Sequence, residues 1–137
     1  MAKTTVKEEI AVPAADLWAL VADFGNVPWI PGGDQATVEG AGVGMTRSLM
    51  DGAVVERLES IDESKQQIGY TIEKGLPLPI TDYHATMTVS ARGEDRSELD
   101  WTCTYEPAGV SAEDADAQVR GLYGTMIGWI KENLGAA

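Results

Sequence analysis

Four polar side chains lie at positions where strand alternation turns them towards an apolar interior. In segment 43–50, residues two apart share a side, so Arg47 lies on the same face as three apolar residues, Val43, Met45 and Leu49. An isolated buried charge costs several kcal/mol, so Arg47 needs a partner. Glu56 has the inward position on the following segment, and we expect the two side chains to pair directly or through water.

Tyr70 and Tyr83 have inward positions on the neighbouring segments 66–73 and 81–91. Two hydroxyls in an apolar lining can anchor a polar group of a ligand. Together with Arg47 and Glu56, they are the candidate catalytic groups, because such groups polarise carbonyls and move protons. The plainer alternative stays open: a structural ion pair, and two core tyrosines whose hydroxyls reach water.

The same face assignments, with three- and four-residue spacing in the last part of the chain, predict one enclosed cavity. We expect it to be lined by Trp29, Leu49, Glu56, Tyr70, Ile72, Tyr83, Met87, Trp101, Leu122, Tyr123 and Met126. Inward positions are also predicted for Leu99, Cys103 and Tyr105 on segment 96–105, unless a bulge reverses them. An ordinary core position is an equally open interpretation for the helical members of the set, Leu122, Tyr123 and Met126.

Other kinds of chemistry find little support in the sequence. With one cysteine and one histidine, the chain forms no internal disulfide and no zinc site of Cys and His, and we expect neither metal nor cofactor. Cys103 has no inward histidine to activate it, and His84 faces outward by alternation. The glycines of segment 40–44 indicate a turn, because no helix follows them as a dinucleotide loop requires.

Composition restricts the partners. The chain has 137 residues, 44% of them apolar, with 10 Lys and Arg against 22 Asp and Glu and a net charge of −12. Such a surface repels nucleic acids and anionic membranes. We expect no membrane insertion and a cytoplasmic location, because no apolar run approaches the roughly 20 residues of a span and no secretory signal is visible. Composition leaves monomer and dimer open.

The order of elements predicts an α+β fold in a single domain spanning 1–137. Period-two patterns and turn residues predict seven strands, at 4–12, 36–40, 43–50, 54–62, 66–73, 81–91 and 96–105. A short helix follows the first strand, with Pro13 as its first residue. A long helix over 111–134, with Ser111 as N-cap and Asp114 as capping partner, is the element long enough to cover the antiparallel sheet.

The chain resembles the START-like (SRPBCC) superfamily of polyketide cyclase/dehydrase and lipid-transport proteins, to which the birch pollen allergen also belongs. The resemblance runs from about residue 4 to 134 and is carried by the order of several short motifs: 12–18 with Asp23 and Phe24, 42–44 with Arg47, 56–59 with Asp62, Tyr70, 83–86, and Pro107 with Gly109. It implies a helix-grip fold, in which a seven-stranded curved sheet wraps around the last helix over a cavity. It also implies that Glu56 looks into that cavity.

Two proline-stiffened loops could control entry to such a cavity. Segment 26–34 carries Trp29 and Ile30, and segment 75–80 carries exposed aliphatic residues. Exposed apolar side chains on stiff loops usually pack over something. In the receptors of the resembling family, the corresponding strand loops act as lids.

Three functions compete at this stage. The first is binding or carriage of a small hydrophobic molecule, such as a lipid, a polyketide or an aromatic compound. The second is an aromatase/cyclase-type lyase without metal, which closes and dehydrates a polyketide-like chain. The third is a protein-interaction module with a vestigial cavity. We favour binding, because no nucleophile with its base is recognisable.

Overall fold

The computed structural model describes residues 1–136. One sheet and two α-helices account for most of the chain. The elements are β1 (Ala2–Ile10), α1 (Ala14–Ala22), a 3₁₀ turn (Gly33–Gln35), β2 (Thr37–Glu39), β3 (Thr46–Leu49), β4 (Val54–Asp62), β5 (Gln67–Lys74), β6 (Ile80–Ala91), β7 (Ser97–Pro107) and α2 (Ala112–Leu134).

The seven strands form one antiparallel sheet in the order β1-β7-β6-β5-β4-β3-β2. The predicted α+β helix-grip architecture, with a long C-terminal helix and a short helix after the first strand, is therefore confirmed. The strands β2 and β3 are shorter than the predicted strands 36–40 and 43–50. Between them, Gly40, Gly42 and Gly44 take positive φ angles and form a turn. The inward position predicted for Val43 is wrong, since it lies in this turn and is 61% exposed.

Strand alternation correctly separates the buried face of the sheet from the open one. On β6 the predicted residues Tyr83, Ala85, Met87 and Val89 are buried, and so is Ile80 at the start of the strand. On β7 the predicted Leu99, Trp101, Cys103 and Tyr105 are buried together with Ser97, and pairing with β1 continues without a register shift from Ser97 to Tyr105. The bulge that could have reversed this strand is absent from its pairing with β1.

Capping fixes both ends of α2. The Ser111 hydroxyl accepts a hydrogen bond from the Asp114 backbone N–H (3.1 Å), as the sequence predicted, and Gly135 ends the helix in the left-handed conformation. At α1, Pro13 is the N-cap rather than the first helical residue, because its ψ of 147° is extended. The buried face of α2 consists of Ala115, Val119, Tyr123, Ile127 and Ile130.

The loop between α1 and β2 folds back on itself through consecutive turns. Ile30 N–H bonds the carbonyl of Val27 (3.1 Å), and Gly33 N–H bonds the carbonyl of Ile30 (2.8 Å). These turns bury Trp29 against the core. In the loop before β6, Leu76 and Leu78 are partly buried against the same core.

Within residues 1–136, no helix is both long and apolar enough to cross a membrane.

Candidate functional site

Arg47 and Glu56 form a buried ion pair on the neighbouring strands β3 and β4. Their backbones are directly opposite each other, and Arg47 Nε donates to Glu56 Oε1 at 2.7 Å. Arg47 is 3% exposed and Glu56 is 5% exposed. The predicted pairing is confirmed.

Arg47 has two further partners, both supplied by Phe24. Arg47 Nη1 donates to the Phe24 carbonyl oxygen (3.1 Å), and the guanidinium lies 4.0 Å from the centre of the Phe24 ring. Phe24 lies two residues after the end of α1, so this arginine connects the α1 side of the molecule to β3. The guanidinium is thus satisfied by the protein itself, which is what a structural ion pair requires.

Three tyrosine hydroxyls form a chain between the sheet and α2. The hydroxyls of Tyr70 on β5 and Tyr83 on β6 are 3.1 Å apart, and Tyr83 also bonds the hydroxyl of Tyr123 on α2. Trp101 on β7 donates its indole N–H to the Tyr70 hydroxyl (3.1 Å). We call these four residues the tyrosine network. It is buried, and among residues 1–136 no buried side-chain polar atom lacks a partner.

Aromatic stacking extends the network to the loop before β2. Trp101 and Tyr123 stack with ring centres 4.3 Å apart and an interplanar angle of 16°. Trp29 meets Trp101 edge to face at 6.4 Å. Both arrangements are favourable for aromatic rings, so loop, sheet and helix are joined through Trp101.

Burial determines the protonation state of the network. Removal from water raises the pKa values of Tyr70, Tyr83 and Tyr123 well above the usual value for tyrosine, and the charge of Glu56 raises that of Tyr70 further. All three hydroxyls are therefore neutral at physiological pH. They can donate and accept hydrogen bonds, but a phenolate that could act as a strong base is disfavoured.

The predicted cavity residues divide into two groups. Most are buried: Trp29, Glu56, Tyr70, Tyr83, Met87, Trp101 and Tyr123. The others are partly buried and pack against the same core: Leu49, Ile72, Leu122 and Met126. The structure thus brings the central aromatic members into direct contact with one another, so that protein side chains occupy the space between them.

Two pockets stand out on the described residues, and of the predicted lining only Trp29 belongs to either. One, of about 480 Å³, lies between the loop before β2 and the end of α2 and is lined by Pro28, Trp29, Ile30, Pro31, Gly32, Asp34, Trp129, Glu132 and Asn133. The other, of about 210 Å³, lies on the open face of the sheet, beside Gly69 and His84.

Sequence reasoning missed two residues with clear roles in this region. Phe24 was not singled out as a partner of Arg47, although it contacts Arg47 through its carbonyl and its ring. Trp129 was not named as a lining residue, although it follows Leu122 and Met126 at the seven- and three-residue spacing that places residues on one helix face. That spacing was the available signal for Trp129.

Cys103 and His84 lie where their sequence positions predicted. The Cys103 thiol is buried, which raises its pKa and disfavours the reactive thiolate. His84 lies on the open face of the sheet, where its Nδ1 is 2.8 Å from Glu59 and its Nε2 is 3.4 Å from Asp82. The hydrogen bond to Glu59 is the main cause of its raised pKa.

Comparisons with known proteins agree with this fold. A family model described as polyketide cyclase/dehydrase and lipid transport matches residues 1–135. A comparison with curated proteins found no match. The structure of XoxI from Bacillus cereus is 27% identical, with a TM-score of 0.81 over 97% of this chain and 95% of that one.

Two further solved structures extend the comparison. A protein from Thermobifida fusca, solved by NMR, is 28% identical, with a TM-score of 0.79 over 98% of this chain and 94% of that one. Norcoclaurine synthase from Thalictrum flavum, solved with dopamine and hydroxybenzaldehyde, is 20% identical, with a TM-score of 0.72 over 96% of this chain and 85% of that one. At that identity, the likeness to norcoclaurine synthase concerns the fold alone.

Proposed function

Because this chain belongs to the polyketide cyclase/dehydrase and lipid transport family, we propose that it binds a small molecule between the sheet and α2. The molecule has an apolar, aromatic body and at least one hydroxyl or carbonyl oxygen. The observation that carries this proposal is the tyrosine network, a set of mutually bonded polar groups in the middle of an apolar core.

The network suits an oxygen-bearing ligand because its partners can be exchanged. Tyr83 bonds both Tyr70 and Tyr123, so a ligand oxygen can take the place of Tyr123 while Tyr83 stays satisfied. Buried hydroxyls that lose a partner without replacement cost about 1–3 kcal/mol, so a ligand without oxygen binds less well. The flat faces of Trp101 and Tyr123 suit an aromatic body.

Entry requires α2 to move away from β7, and the glycine content of α2 lowers its intrinsic helical stability. Three glycines, Gly121, Gly124 and Gly128, lie in this helix with open space around them. Each glycine in a helix interior costs about 1 kcal/mol relative to alanine. The intrinsic helical stability of α2 is therefore lower than it would be with alanine at these three positions.

Binding is favoured over cyclisation chemistry by the state of the candidate catalytic groups. The tyrosines are neutral, because burial raises their pKa values. Arg47 already bonds Glu56 and the Phe24 carbonyl, which limits its use in polarising a substrate carbonyl. The groups that remain can orient a ligand oxygen through hydrogen bonds.

A matched pair of ligands tests this proposal. We expect 2-naphthol to bind about five- to tenfold more tightly than naphthalene, since a net hydrogen bond contributes about 1 kcal/mol. In titrations followed by NMR, 2-naphthol should shift the indole N–H signal of Trp101. In the Tyr83→Phe variant the preference for 2-naphthol should disappear.

Tyr105→Phe is the control, because it removes the same hydroxyl from a tyrosine bonded to Thr4 outside the network. It should keep the preference for 2-naphthol. The proposal is wrong if neither ligand perturbs Trp101, or if Tyr83→Phe discriminates as well as the unaltered protein. Native mass spectrometry of protein purified from its own host would identify the natural occupant.

A further inference from the structure

The pocket between the loop before β2 and the end of α2 has a composition unlike that of the interior. We call it the two-tryptophan pocket, after Trp29 and Trp129 in its wall. Its volume of about 480 Å³ falls within the usual range for small-molecule sites. It is open to solvent, and it is separate from the tyrosine network, none of whose residues lines it.

The residues that line this pocket include both tryptophans and acidic residues. Besides the two tryptophans, its apolar lining comes from Ile30 and two prolines, and its polar lining from Asp34, Glu132 and Asn133. No lysine or arginine lines it. Within residues 1–136, neither Asp34 nor Glu132 takes part in an ion pair.

The loop side of the pocket is held in place before any ligand arrives. Its turns are closed by backbone hydrogen bonds, including Gly33 N–H to the Ile30 carbonyl (2.8 Å) and Ala36 N–H to the Gly33 carbonyl (3.1 Å). Trp29 is fixed by its edge-to-face contact with Trp101. A pocket that is already formed binds without the entropic cost of ordering it.

We propose that the two-tryptophan pocket binds a small organic cation, namely an alkylammonium group with apolar substituents. Indole faces attract cations through their quadrupole, and tryptophan is the strongest aromatic partner. The two carboxylates supply unpaired negative charge at the same place, and the net charge of −12 adds a favourable field. A bare metal ion would suit the pocket less well, because no group of three or more His, Cys, Asp or Glu residues placed to hold a metal ion occurs among residues 1–136.

Choline and its uncharged isostere 3,3-dimethylbutan-1-ol provide the test, because they differ in charge and hardly in shape. NMR titration of the full chain should perturb the indole N–H signals of Trp29 and Trp129. We expect choline to bind about tenfold more tightly than the isostere, the combined effect of cation–π and carboxylate attraction. Added salt should weaken choline binding and leave the isostere unchanged.

Two variants and one matched control localise the site. Trp129→Leu should weaken choline binding about fivefold, and Glu132→Gln about threefold. Glu113→Gln removes the same charge near the other end of α2, outside the pocket, and should leave binding unchanged. The proposal fails if choline does not perturb these indoles, if the isostere binds equally well, or if Glu113→Gln weakens binding as much as Glu132→Gln.

The outcome is independent of the function proposed for the interior. Tyr83→Phe should abolish the preference for 2-naphthol and leave choline binding intact, whereas Glu132→Gln should weaken choline binding about threefold and leave the preference for 2-naphthol intact. Competition between choline and 2-naphthol for a single site would contradict the assignment of two separate sites.

Discussion

Replacing Glu56 by Gln should destabilise the fold far more than the loss of one surface charge. The substitution keeps the shape of the side chain and an oxygen acceptor, but it leaves Arg47 without a counter-charge. Arg47 is 3% exposed and cannot reach water without moving β3 or the residues after α1.

The expected magnitude follows from what Arg47 retains. Breaking a buried ion pair by removing one partner costs about 3–5 kcal/mol. The Phe24 carbonyl at 3.1 Å and the Phe24 ring at 4.0 Å remain and offset part of this cost. We therefore expect the lower end, about 3 kcal/mol of the free energy of unfolding.

Urea unfolding followed by circular dichroism measures this loss, and Glu73→Gln is the control. Glu73 pairs with Arg57 across β4 and β5 at 2.9 Å, nearly the same distance as in the buried pair. Both side chains of this pair are about 40% exposed, so the pair should contribute no more than about 1 kcal/mol. The two variants thus differ mainly in burial.

Equal losses in the two variants would refute the reasoning, because burial would then have no effect on the cost. Titration of the folded Glu56→Gln protein with 2-naphthol answers a second question. Unchanged affinity agrees with a structural ion pair. A lower affinity in protein that is still folded would mean that the pair contacts the ligand.

Three further changes have defined outcomes. Gly33→Ala should lower the free energy of unfolding, measured in urea, by about 1–3 kcal/mol, because the new Cβ would lie 2.0 Å from a carbonyl oxygen. Gly124→Ala should raise it by up to about 1 kcal/mol, because alanine favours the helix and the new Cβ would meet open space. Ser111→Ala should cost about 1 kcal/mol by thermal unfolding, because α2 loses its N-cap; no loss would contradict the cap.

The last of the predictions concerns pH. The folded-state pKa of His84 is raised above 6.5, mainly by Glu59, so its stabilisation should be complete below pH 6.5 and lost as the pH rises through the folded-state pKa. Urea unfolding of the protein and of His84→Gln on both sides of that range checks the sign; a difference that grows with pH would contradict it.

The sequence by itself determined the strands, their faces and the position of the last helix. Alternation is regular from Tyr83 to Val89 on β6 and from Ser97 to Tyr105 on β7, and only one face of an antiparallel sheet can be buried under a single helix. The inward charge of Arg47 needed a partner, and Glu56 was the carboxylate with the right position. These features depend on local periodicity and on the cost of burying a charge, and both can be inferred from the sequence alone.

Only the tertiary structure decided how the interior is filled. Alternation shows that Tyr83 and Trp101 point inward, but it does not give the distance across to Tyr123 on α2, where the rings meet. The same holds for the two-tryptophan pocket, whose walls are about 100 residues apart in the chain. Contacts between distant segments depend on how the helix and the loops pack on the sheet, and that packing results from the shapes of all the side chains together.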